Sequence, residues 1–199
     1  MSTSSGRSRF RLTSLALAAG WLGVSACAKK EAPAVDTTAM AAPAPAAAPA
    51  ITDAQIAHIV VTANSIDSTV GELAKTKGTA KAVKDFAQMM ITDHGGVNKK
   101  AVALATSLNL TPEDNDTSRQ LKTASDQTMT SLNGLSGAAF DKAYIDNEVT
   151  YHQTVLDALD KTLLPGAQNA ELKSLLESSR PAFVAHLERA KTIQGTLGQ

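Results

Sequence analysis

From Ile51 onward, apolar residues recur every three or four positions, the spacing of helices that bury one face. The first stripe is Ile56, Ile59, Val60, Ala63, Ile66, Val70, Leu73 and Ala74, and it predicts a helix over 53–77. It opens on Thr52-Asp53-Ala54-Gln55, a capping box, with Ile51 and Ile56 as the hydrophobic staple around it. Gly78 is expected to close this helix and Thr79 to cap the next. Val83, Phe86, Met90, Val97, Ala101, Leu104 and Leu108 predict the second helix, over 80–108. Asn109 marks its end, and Pro112 suits the first position of a shorter helix over 113–133, with Leu121, Met129 and Leu132 on one side. Gly134 and Gly137 break the pattern. Phe140, Tyr144, Ile145, Val149, Val155, Leu156 and Leu159 then predict a third long helix, over 138–164. Pro165-Gly166 turns the chain. Leu172, Leu175, Leu176, Phe183, Leu187, Ala190 and Ile193 predict the fourth, over 170–193, which Pro181 is expected to kink.

Two helical hairpins joined by a long crossover with its own short helix make an all-α, ferritin-like four-helix bundle. Polar residues interrupt its inner face. Asp67, His94, His152 and His186 fall on the buried side of four different long helices, each near mid-length. A helix of some 25 residues spans about 38 Å, so mid-length residues share one level of the bundle. Glu148, one turn before His152, and Asp93, beside His94, add carboxylates near that level; His58, near the start of the first helix, is expected in solvent. A carboxylate or imidazole placed where a bundle expects leucine costs free energy unless it finds a partner. Two readings follow. In one, buried histidine–carboxylate hydrogen bonds fix helix register, and Glu148 before His152 suits that. In the other, Asp67, Asp93, His94, Glu148, His152 and His186 hold a metal ion, since imidazole and carboxylate from facing helices suit iron, zinc or copper. Both stand at the level of sequence. Residues three before His94, His152 and His186 are Ile91, Val149 and Phe183, so the Glu-x-x-His pairs of di-iron proteins are missing and a single ion is the natural version. Met90, one turn before His94, could add sulfur for copper or simply fill the core.

The N-terminal segment has a different character. Arg7, Arg9 and Arg11 precede an apolar run over 12–24, too short to span a bilayer and the length of a signal-peptide core. It ends in Val24-Ser25-Ala26-Cys27, which resembles the lipobox of bacterial lipoproteins; Cys27 is the sole cysteine and so has no disulfide partner within the chain. The expectation is a signal over 1–26, an acylated Cys27 and an Ala/Pro-rich tether to residue 50 that is extended and builds no core. The bundle domain is then 51–199. With alanine after the cysteine, resemblance to enterobacterial sorting implies a lipid anchor in the periplasmic face of the outer membrane. Removing 1–26 leaves sixteen basic against nineteen acidic residues, a net −3, so the mature chain lacks the basic footprint of a nucleic-acid binder. Phosphate loops, His-Glu-x-x-His, cysteine pairs and Gly-x-Ser-x-Gly elbows do not occur.

Three segments carry a family resemblance: Val83-Lys84-Asp85-Phe86-Ala87 through Met90-Ile91-Thr92-Asp93-His94; Ser136-Gly137-Ala138-Ala139-Phe140-Asp141 through Tyr144-Ile145 to His152; and Pro181 to His186-Leu187. Over about 52–193 the chain resembles the bacterial envelope family known as domain of unknown function 4142. The resemblance implies an exported location and a ferritin-like bundle, and no activity. Asp93, His94, His152 and His186 match the family's pattern, and the acidic residue common in its first helix falls on Asp67, shorter than the usual glutamate.

Overall fold

The computed structural model describes residues 50–197. The expected signal, Cys27 and the tether before residue 50 lie outside them. Four long helices and one shorter one make up the described residues: α1 (Asp53–Lys77), α2 (Lys81–Ser107), α3 (Asp116–Asn133), α4 (Gly137–Ala158) and α5 (Ala170–Leu197). A π-helical segment, Leu159–Leu163, and a last turn, Leu164–Gly166, prolong α4. α1 packs along α2 and α4 along α5; α3 crosses between the hairpins against α1 and α4. This is the all-α bundle with a crossover helix that the periodicity predicts. Among the described residues no helix is long and apolar enough to cross a membrane.

Local chemistry sets the ends. The Thr52–Gln55 capping box forms as expected. Asn109 ends α2 with φ 52°, a left-handed conformation that asparagine tolerates. α3 begins later than predicted: Asn115, not Pro112, starts it, because Asn115 and Ser118 form a second capping box. Gly137 sits at φ 60° where the chain enters α4, a conformation that costs a side chain energy. α5 runs through Pro181 without a break.

Thr79 does not cap α2 with its own side chain. Ala80 is the N-cap, and Asp141 of α4 supplies the acceptors. Its carboxylate accepts the Thr79 N–H (2.9 Å), the Thr79 hydroxyl and the Ala80 N–H (2.8 Å), while itself buried. Asp53 does the same at the opposite loop, accepting the Gln168 and Asn169 N–H groups at 2.8 and 2.9 Å. Each hairpin thus clasps the other through one aspartate. Asp141→Ala should cost about 3 kcal/mol, because it removes a buried carboxylate that accepts three part-buried hydrogen bonds at the start of α2. A thermal melt should show the midpoint falling by about 6–12 °C; an unchanged midpoint would refute the clasp.

The core lies in two apolar clusters. Ile56, Ile59, Leu156, Leu159, Leu172 and Leu176 mark one. Val70, Val83, Phe86, Met90, Phe140, Tyr144 and Ala190 mark the other. In sequence, Asn64 and Asp67 on α1, His94 on α2, and Glu148 and His152 on α4 fall between the two, while His186 on α5 lies between Phe183 and Leu187 of the first cluster, just before Ala190 of the second.

Candidate metal centre

Five titratable side chains meet at that level, and none of Asp67, His94, Glu148, His152 and His186 is more than 2 % exposed. The three imidazoles form a nearly equilateral group, with ring centroids 5.2–5.4 Å apart. One ring nitrogen from each lies within 4.8 Å of those of the other two, and Asp67, Glu148 and His152 form a second group within the same limit. His152 belongs to both. Phe183 stacks on His94, with centroids 5.2 Å apart and planes 5° from parallel, and so fixes that ring's tilt.

The outer hydrogen bonds decide which nitrogen carries the proton. The Asn64 amide donates to the Val60 carbonyl (2.8 Å), so its Oδ1 is the acceptor facing His94 Nδ1 at 2.9 Å. His152 Nδ1 lies 3.0 Å from the Glu148 carbonyl oxygen, which can only accept. His186 Nε2 lies 2.9 Å from Asp93 Oδ2. Each imidazole therefore donates outward from one nitrogen, and its other nitrogen turns a lone pair inward. Those three atoms, His94 Nε2, His152 Nε2 and His186 Nδ1, have no hydrogen-bond partner; nor do Glu148 Oε2 and both Asp67 oxygens. Asp67 Oδ2 is 3.1 Å from His94 Nε2 and 3.5 Å from His152 Nε2, close enough for attraction but not aligned as hydrogen bonds. Such separations suit shared coordination: two ligands each about 2.1 Å from a tetrahedral ion stand about 3.4 Å apart.

Burial dominates the electrostatics. It lowers the His94 pKa to about 2, reinforced by His152 and His186, and lowers that of His152 to about 4. His186 is lowered too, against an opposing pull from Asp93. Burial raises the Asp67 carboxyl to about 8, and raises Glu148 well above its usual range with Asp67 adding to the effect. Without a cation the interior at neutral pH therefore holds neutral rings and protonated carboxyls. A divalent ion supplies the charge that would make both carboxylates favourable.

Of the six sequence candidates, the fold brings five together. The sixth, Asp93, has a side chain 43 % exposed and belongs to neither group; it orients His186 from the rim. Met90 is fully buried in the apolar cluster of Phe86 and Tyr144. His58 is not in open solvent as expected: its side chain is 21 % exposed and stands 3.8 Å from Asp114. Sequence reasoning missed Asn64, which holds His94. The signal was present, since Asn64 lies four residues after Val60 and three before Asp67, on the same side of α1.

Fold and site together define a helical bundle with a buried histidine–carboxylate cluster at its middle. The chain belongs to the family described as Domain of unknown function (DUF4142), whose sequence profile matches residues 37–193. Neither a curated protein nor a solved structure matches it.

Proposed function

We propose that this protein binds a single first-row divalent metal ion, zinc, iron or copper, in the middle of a bundle tethered to the bacterial envelope by a lipid on Cys27. One observation carries the metal reading: three buried imidazoles whose outer nitrogens are held by fixed acceptors, while their inner lone pairs, both oxygens of Asp67 and one of Glu148 have no partner. A network that served only to fix register would spend these groups on one another, since a buried polar atom left without a partner costs about 1–3 kcal/mol. His94, His152, His186 and Asp67 would be the ligands, with Glu148 beside them. Asn64, Asp93 and the Glu148 carbonyl would be the groups behind the ligands that fix ring orientation.

The test is elemental analysis of the purified full chain after exposure to each metal. About one equivalent should be retained through dialysis, and His94→Ala should reduce it to background. A parent chain that retains none would leave a structural bundle whose core histidines set register. The anchor rests on the basic flank, the short apolar core and the Val24-Ser25-Ala26-Cys27 tetrad. Cys27→Ser should move the protein from the membrane fraction to the soluble one; a protein that stayed in the membrane fraction would remove Cys27 from the account.

A further inference from the structure

Beside the polar cluster, under α3, lies a chamber of about 290 Å³. Val97, Leu121, Val155, Leu159, Leu175 and Phe183 are among its apolar lining residues, and His94 forms part of the wall. Native interiors leave few voids larger than a water molecule, and a cavity of about 150 Å³ lined by aliphatic side chains stays dry and takes up benzene. The space here is roughly twice that.

Three of its inner polar side chains are already committed. Tyr151 donates to the Ala63 carbonyl at 2.8 Å, Ser179 to the Leu175 carbonyl at 2.8 Å, and Asn64 serves Val60 and His94. No Asp, Glu, Lys or Arg lines the chamber. Water needs about two to four polar partners to settle in such a space, so an uncharged apolar occupant is favoured. Thr117, Gln120 and Thr154 stand at the solvent-exposed edge. α3 covers that side loosely, with Ser118 and Leu132 its only buried residues. The opposite wall includes Leu159 and Leu163 from the π-helical segment, a distortion often found at functional sites.

We propose that this chamber binds a neutral apolar small molecule, a two-ring aromatic or an alkyl chain of roughly ten carbons, in contact with His94. It deepens the metal reading by naming the class of molecule held beside the centre, but binding in the chamber does not require the metal, so the two can fail separately.

The test uses the full chain carrying Cys27→Ser, which blocks acylation, freed of metal by chelator. Titration with N-phenyl-1-naphthylamine, a neutral two-ring fluorophore, should saturate at about one molecule per chain with a Kd in the micromolar range, and decanol should displace it. Ala63→Phe and Ala158→Phe fill the chamber from α1 and from α4, and each should weaken binding by about ten-fold or more. Methyl NMR of the parent gives a second reading that needs no variant: signals of Val97, Leu121 and Val155 should shift, and those of Val70 and Val83 should stay. The proposal is overturned by absent or non-saturable binding, by shifts at Val70 and Val83 instead, or by two folded variants that bind like the parent. It is also overturned if the acylated chain refuses the probe that Cys27→Ser accepts, since the chain's own lipid would then be the occupant.

Discussion

His152→Leu should abolish metal uptake and yet leave the metal-free protein at least as stable as the parent. Leucine approximates the volume of the ring, so little cavity opens. The substitution loses the Nδ1–H bond to the Glu148 carbonyl, worth about 1 kcal/mol. It also removes Nε2, a buried acceptor with no partner, whose desolvation costs about 1–3 kcal/mol. The balance is a gain of up to about 2 kcal/mol. Zinc reverses the ranking. At 100 to 1,000 times its Kd a ligand that binds only the folded state adds about 3–4 kcal/mol, which raises the melting midpoint of a chain this size by about 6–16 °C. The parent should show that rise and the variant should not. Calorimetry with and without zinc reads both effects. A network that only sets helix register gives the opposite pattern: the variant loses several kcal/mol and zinc moves neither protein. Stability given up at a functional site and recovered on ligand binding is the expected trade.

The helices were legible because their signals are local. The Thr52 box fixes the start of α1 to the residue, and Asn109 ends α2 where its tolerance of left-handed backbone predicts. What failed was non-local. The cap on α2 comes from Asp141, more than sixty residues away, so neither Thr79 nor its neighbours could announce it. Pro112 looked like a helix start until Asn115 and Ser118 offered a box that satisfies two amides at once. At the centre, the stripe identified the right helices but not the right neighbours. Residues adjacent in sequence lie about 100° apart around a helix, so Asp93 and His94 could not both face inward, and His94 took the interior. Asn64 was passed over because Ala63 fitted the stripe. α1 packs against α2, α3 and α4, so its covered face is wide enough to hold both. The outward hydrogen bonds that leave three lone pairs pointing inward depend on ring orientation, which no spacing encodes.

Those same burials fix how the metal-free protein responds to pH. Asp67 and Glu148 have folded pKa values raised above their unfolded ones, so each contributes stability that is full below about pH 4 and is lost as pH rises, for Asp67 through about 8. His94, His152 and His186 are lowered, so their contribution is full above the unfolded value of about 6.5 and is lost as pH falls below it. Between about pH 4 and 6.5 the two sets oppose each other as protons come off, and stability should change little. Above 6.5 the histidines have nothing more to give, and the carboxyls alone continue to lose. From pH 7 to 9 the metal-free protein should therefore weaken, by about 1 kcal/mol through Asp67 alone and further through Glu148, read as a falling denaturation midpoint in urea. With zinc bound that loss should disappear and the slope flatten over the same range, because the metal holds both carboxylates deprotonated, as they already are in the unfolded chain. Parallel slopes with and without zinc would mean that Asp67 and Glu148 do not meet the ion, and would take the carboxylates out of the centre while leaving the imidazoles in it.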